Sequence, residues 1–303
     1  MRLAMKRLQE LRKGIGFTQA ALAQALGVSQ QAIARWEKGD SEPNIAMLRD
    51  LATVMGTSVD DLIEFDRGGS RVVSQHWQPA DDQVVDGFWG HLGVLLPGHT
   101  DCHWYPITKG EQARVSRNLD GAVEASAWMV IATLNNRVLL INPALVQRIR
   151  LLDDAADQPG DDGWNLTWDG YQGLSPEIYH AIDDYFFNES AFTADYSETL
   201  QKLALDQIEE HEIDDEKAYR LLEWTSVYLE SGLEVTFCGE EEELYSLTLD
   251  ADCQALERVV LSDQDSGELN FFPAHRVALI SMPLTQYQKA ARAEMDELGF
   301  EGN

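Results

Sequence analysis

The sequence predicts a multidomain chain: a small all-α domain of five helices, then an α+β region in which small β-barrel-like modules surround a helical segment. Three observations lead there. Apolar residues recur at helical spacing in five short blocks before residue 66. "DRGGSR", residues 66–71, has the glycine, serine and charge composition of a linker. Beyond it, runs rich in β-branched and aromatic residues alternate with turn signals. At 303 residues the chain is long enough for two or three domains.

The helical blocks follow in order. Leu8 and Leu11 lie three apart in the first. The second starts at Thr18, a good N-cap, and stops at Gly27. Ser29 caps the third, which turns Ile33 and Trp36 inward and ends at Gly39. The fourth, from Ile45 to Met55, buries Met47, Leu48, Leu51 and one of Val54 and Met55. Ser58 caps the last, "SVDDLI", with Asp60 and Asp61 where a helix N-terminus favours acids. Only "GVS" joins blocks two and three. So short a joint forces a steep crossing, as in a helix-turn-helix.

The stretch "LRKGIGFTQAALAQALGVSQQAIARWEKGDSEPNIAMLRDLATVMGTSVDDLI" closely resembles the Cro/XRE-type family of helix-turn-helix transcriptional regulators. The Thr-Gln and Ser-Gln-Gln helix starts, the Trp-Glu-x-Gly end, the proline and the closing "SVDDLI" all come in register, over about residues 3–65. The resemblance implies a lambda-repressor-like DNA-binding domain at residues 1–66. Its third helix is expected to enter the major groove of double-stranded DNA, N-terminal residues towards the bases. Gln30 and Gln31 are the expected base readers, because an amide matches adenine N6 and N7. Arg35 is placed for a guanine edge or a phosphate, Ser29 for a phosphate, and Ala32 for a thymine methyl. Gln19 opens helix two, where relatives touch the backbone, and Lys38 is a further phosphate candidate. The plainer alternative for all of them is a solvated polar face. The resemblance also implies that Arg12 and Glu37 form a structural ion pair and that Trp36, Leu22, Ala23 and Leu26 are core. One departure is the loop "GDSEPN": Asp40 and Glu42 stand where many relatives place basic groups.

Charge divides unevenly. Residues 1–66 hold 8 Lys and Arg against 9 Asp and Glu, close to neutral, while residues 67–303 hold 15 against 43, or −28. Only the first segment can approach a phosphate backbone without a large penalty. Three scattered cysteines, Cys102, Cys238 and Cys253, suggest reduced thiols rather than a disulfide framework. No apolar run is long enough to span a membrane, and no secretory leader follows the basic start, so a cytoplasmic protein is expected.

After a linker at 67–72, we expect a β-rich module at 73–163, a helical segment at 164–223 and a second β-rich module with a C-terminal helix at 224–303. Strands are expected at "FWGHLGVLL", "CHWYPI", "AWMVIATL", "RVLLIN" and "LVQRIRLL", with a tight turn at "LNNR". An acidic loop follows at 153–163, then helices near 176–188 and 197–222. The second strand set includes "LYSLTL", "LERVVL", "ELNFF" and "VALISM". "VIATLNNRVLLINPALVQRIRLL" and "RVVLSDQDSGELNFFPAHRVALISM" share a plan of strand, turn, strand, Pro-Ala, strand, with Pro143-Ala144 matching Pro273-Ala274. Such bent sheets build small SH3- or Sm-like barrels.

Little in this region points to chemistry. His91, His99, Asp101, Cys102 and His103 cluster, and Gly98-His99 with His103 faintly resembles the start of a cupin metal site. The downstream glutamate and glycine pattern of cupins is missing, so polar hairpin-loop residues and no metal are expected. "GEEEE" at 239–243 reads as a solvated turn. Glu177, Asp183 and Asp184 offer acid–base groups but read as a wet helix face. The expected function is a non-enzymatic, sequence-specific regulator needing no cofactor. It is expected to be a homodimer whose acidic C-terminal region dimerises and responds to a small-molecule or protein effector. The alternative is a DNA-tethered adaptor, antitoxin-like, whose C-terminal modules bind another protein or RNA.

Overall fold

A computed structural model describes residues 6–14, 17–55, 59–62, 88–120, 128–156, 173–253 and 256–297. The linker expected at 67–72 and residues 157–163 of the acidic loop lie outside them. The chain divides into two units. One combines the N-terminal helices with residues 175–218; the other combines residues 88–174 with 219–298.

In the first unit, α1 (Lys6–Gly14), α2 (Gln19–Ala25), α3 (Gln30–Lys38), α4 (Ile45–Met55) and α5 (Val59–Leu62) stand where the five apolar blocks place them. Their core is Leu8, Leu22, Ile33, Trp36, Leu48, Leu51, Ala52, Met55 and Leu62, with Leu26, Met47 and Val54 half-buried at its margin. Asn44 caps α4 through a bond from the Met47 N–H (2.8 Å).

The helical segment belongs to this same unit. It consists of α7 (Pro176–Phe187), α8 (Glu189–Ala194), α9 (Glu198–Glu210) and the start of α10 (Asp215–Leu222). The single helix expected at 197–222 is therefore two, broken at 211–214, where the Lys217 N–H finds the Asp214 side chain instead of a helical carbonyl. The wet face expected for α7 is also corrected. Glu177 and Asp183 are buried. Glu177 accepts from Arg49 Nη1 and from the Val59 N–H at the start of α5, both at 3.0 Å. The Arg49 guanidinium lies 4.1 Å from the Tyr196 ring centre. Tyr196 donates to Asp184 (2.6 Å), and Ser197 donates to Asp50. One carboxylate thus accepts from an orphan donor of a four-residue helix and supplies the counter-charge of a half-buried arginine.

The second unit uses one plan twice. β1 (Phe88–Leu95) pairs antiparallel with β2 (His103–Thr108) and with β5 (Arg148–Asp153); α6 (Lys109–Leu119) follows β2, and β3 (Met129–Ala132) with β4 (Arg137–Ile141) makes a hairpin. In the same order, β6 (Trp224–Leu229) pairs with β7 (Glu234–Cys238) and with β10 (Val277–Pro283). There α11 (Glu241–Cys253) follows β7, and β8 (Arg258–Ser262) with β9 (Leu269–Pro273) makes a hairpin. The last element among the described residues is α12 (Leu284–Glu297). The two copies join through one antiparallel pairing, β4 to β10.

That joint explains a correction. Closed barrel-like modules are not found among the described residues; the sheets are open, in orders β2-β1-β5, β3-β4-β10-β6-β7 and β8-β9. The edge of β4 is given to the other copy rather than to its own β5. "LYSLTL" is helical, inside α11, not a strand. Leu244, Tyr245, Leu247 and Thr248 are buried along it, a set spaced for a helix rather than alternating as a strand would. "GEEEE" opens that helix, and Glu243 accepts from the Ser262 N–H and hydroxyl (2.6 and 2.8 Å). α6 carries no strong sequence signal: its mixed polar face buries little beyond Val115 and Glu111.

One strand position and one turn position set close approaches. Gly90 is needed where β1 crosses β5, since a Cβ there would meet the Leu152 carbonyl oxygen at 2.1 Å. In the expected "LNNR" turn, Asn136 adopts φ 61°. Its side chain donates to the Leu221 carbonyl (3.0 Å) and accepts from the Thr285 N–H (3.0 Å), so the turn also fastens α10 and α12. Among the described residues, no helix is long and apolar enough to cross a membrane.

Candidate nucleic-acid interface

Local chemistry fixes the α2–α3 turn. The Thr18 hydroxyl accepts from the Ala21 N–H (3.0 Å) and the Ser29 hydroxyl from the Ala32 N–H (3.2 Å), each capping its helix. Gly27 (φ 66°) and Gly39 (φ 71°) take left-handed conformations that end α2 and α3. α3 then buries Ile33 and Trp36 and turns its other side out. Ser29, Gln30, Gln31, Arg35 and Lys38 are exposed, and Ala32 is half-buried. Gln31, Arg35 and Lys38 follow at helical spacings of four and three, so they line one stripe, with Gln30 beside its leading end. No hydrogen bond to another described residue holds the side chains of Gln30, Gln31, Arg35 or Lys38. Asp40 and Glu42 are exposed in the loop after α3.

Beneath the stripe lies the ion pair that the sequence suggested. Arg12 Nε meets Glu37 Oε1 at 2.5 Å with both side chains nearly inaccessible, and Arg12 also donates to the Phe17 carbonyl (2.6 Å). Gln19, expected at the DNA backbone, sits at the first residue of α2 with its amide nitrogen donating to Glu37 (2.7 Å). Its side chain is thereby tied to α3. Burial alone would push the Glu37 carboxyl up, but hydrogen bonds from Arg12, Gln19 and Gln9 and the charge on Arg12 outweigh it and hold it below its ordinary value. A lowered folded value means that the pair's stabilisation is complete above the ordinary value of 4.5 and disappears as pH falls through Glu37's own value. Glu37→Ala is expected to cost about 3 kcal/mol at pH 7, since it leaves a buried guanidinium unpaired. Urea unfolding at pH 7 and at pH 3 checks this: the gap between variant and parent should narrow at the acid end.

A family model described as Helix-turn-helix matches residues 8–62. The transcriptional activator BcrR of Enterococcus faecalis is 38% identical over 58 residues, 19% of this chain and 28% of BcrR. The chain thus spans little more than a quarter of BcrR's length. The HTH-type regulator YazB of Bacillus subtilis is 37% identical over 57 residues, and there the match takes in 83% of YazB. The chain belongs to the HTH-type transcriptional regulators. A crystal structure of an HTH_3 family transcriptional regulator from Vibrio cholerae is 20% identical, with a TM-score of 0.21, and the match covers 36% of this chain and 80% of that one. BcrR and YazB each match 19% of the chain of this HTH-type regulator.

In its second unit the regulator carries a cavity of about 590 Å³, lined by the 98–105 hairpin and by residues of β6 and β10. His99 and His103 share a hydrogen bond there (3.0 Å), and both rings stand edge-on to Tyr228. Burial, and then the neighbouring His99, push His103 down, with Glu234 opposing. Arg137 on the rim is anchored by the carbonyls of Trp224 (2.7 Å) and Arg220 (2.6 Å). Of the clustered residues noted in the sequence, His99, Asp101, Cys102 and His103 line this space, while His91 is buried within β1. Among the described residues, no group of three or more His, Cys, Asp or Glu side chains is placed to hold a metal ion. Tyr228, Ser226 and Ser281 come from strands more than 120 residues away, and no local motif marks them.

Proposed function

We propose that this regulator reads an operator in double-stranded DNA through α3. Gln30 and Gln31 address base edges, and Ala32 packs beside them on a thymine methyl. Arg35 takes a guanine edge or phosphate, and Ser29, Gln19 and Lys38 position the helix on the backbone. The observation that carries this reading is the α3 stripe: exposed amides and basic groups, uncommitted within the described chain, on a helix held rigid by a buried ion pair. The near-neutral charge of residues 1–66 and the acids at 40 and 42 support few phosphate contacts and a shallow salt dependence. Affinity then rests on base contacts and on two copies acting together. A twofold dimer would set two such helices about 34 Å apart on a near-palindromic site.

The cavity at His99, His103 and Tyr228 supports an effector role for the acidic region, with a small polar molecule as the effector. The test of the whole reading is selection of bound duplexes from a random pool by the full chain. A recovered consensus with two half-sites about ten base pairs apart is expected. Recovery of unrelated sequences at every salt concentration would remove the operator reading and leave the adaptor alternative, in which the C-terminal modules bind another protein.

A further inference from the structure

The duplicated plan of the second unit leaves a joint unfinished. Inside the chain, the copies meet where the outer edge of β4 pairs with the outer edge of β10, with Ile141 opposite Leu279 and Leu139 opposite Ser281. The pairings of the two copies superpose with β4 matching β9 and β5 matching β10. In that match Val138 and Leu140, which lie opposite Met282 and Ile280, correspond to Leu269 and Phe271, and Ile280 and Met282 correspond to Ile149 and Leu151. One half of the same joint is therefore left on β9 and the other half on β5. Neither outer edge has a strand paired to it among the described residues.

Burial shows the difference. Leu140 is 0% and Val138 3% exposed, whereas Leu269 is 51% and Phe271 62% exposed. Val260, the cross-strand neighbour of Phe271, adds to the same apolar face at 38%. On the other side, Ile149 and Leu151 are only half-buried, at the margin of the core that already contains Ile141 and Leu279. An unpaired edge that presents large apolar side chains is a template for pairing with another chain.

We infer that the β9 edge of one copy pairs antiparallel with the β5 edge of a second copy, repeating between chains the β4–β10 joint found within one. The occupant is a second copy because the complementary half is present on every chain and has already been realised once in the fold. The register carries over: Phe271 faces Ile149 of the second copy and Leu269 faces its Leu151. Glu268 then lies diagonal to Arg150 of the second copy, an opposite-charge neighbour across the pair. The contact is heterologous, so it joins copies head to tail and is satisfied at both ends when the assembly closes into a ring. This goes beyond operator reading and stands without it, because the joint uses no part of α3.

The test needs no DNA, so its failure and the failure of operator binding are separate results. By sedimentation velocity, the full chain is expected at twice 34.0 kDa or a higher multiple. Leu269→Glu with Phe271→Glu is expected to run as the single chain, and circular dichroism should show an unchanged far-UV spectrum because both side chains are exposed within one chain. Cysteine pairing then fixes the geometry. Phe271→Cys chains mixed with Ile149→Cys chains should give a disulfide-linked dimer on non-reducing gels, beyond the level given by the parent chain. Neither variant alone should do so. Cross-linking of Phe271→Cys chains to each other would overturn the head-to-tail joint in favour of a twofold one. A parent chain that sediments as a monomer at all concentrations would overturn it altogether.

Discussion

Chains carrying Gln30→Ala and Gln31→Ala together are expected to lose operator discrimination while keeping their fold. Both side chains are exposed and make no hydrogen bond to another described residue, so their removal leaves no buried polar group unpaired. Alanine also suits the first turn of a helix. The caps at Thr18 and Ser29 and the buried Ile33 and Trp36 stay as they are. Each bidentate amide–adenine contact discriminates by roughly 1–3 kcal/mol, so losing both should cut the ratio of specific to non-specific affinity by at least ~30-fold. Non-specific binding at low salt, which rests on phosphates, should change little. Competition gel shifts with the selected operator and a scrambled duplex measure this directly. An unchanged ratio would assign base reading to other residues.

The second large effect lies far from α3 in sequence. Glu177→Ala is expected to destabilise the first unit by about 3–5 kcal/mol, because it leaves Arg49 without its counter-charge and the Val59 N–H without an acceptor, both in buried surroundings. Glu177→Gln keeps an acceptor of similar shape and should recover part of that loss. Restoring balance by Arg49→Met in the Glu177→Ala background should recover more than Arg49→Met alone would predict. Such non-additivity is the signature of a direct pair. Thermal unfolding of the full chain is the measurement, and additive losses would show that the two side chains act separately. A practical consequence follows for truncation: a fragment ending near residue 72 lacks α7 and α9, the helices that bury Arg49 and complete α5.

The N-terminal helices were legible because their signals are local. Thr18, Ser29, Gly27 and Gly39 act on their own turns, and the apolar spacing of each block determines which side faces the core. The Arg12–Glu37 pair was legible through the family pattern. The repeat was visible in Pro143-Ala144 and Pro273-Ala274, but the elements around it were not all legible. α11 was misread because β-rich composition at "LYSLTL" outweighed its helical spacing, which shows only when burial is known. α7 was misread because acids count as solvent-facing until a partner is found. The partner of Glu177 stands 128 residues earlier in the chain.

By itself, then, the sequence determined which residues form the helix-turn-helix, which of them cap it and which point outward, since those outcomes depend on neighbours within a turn or two. Only the tertiary structure decided that a distant acidic helix completes that domain. It also decided that the duplicated β-plan joins strand to strand instead of closing on itself. Both depend on charges and sheet edges from segments far apart in the chain, and a buried carboxylate or an unpaired edge finds its partner only once the fold has brought the two together.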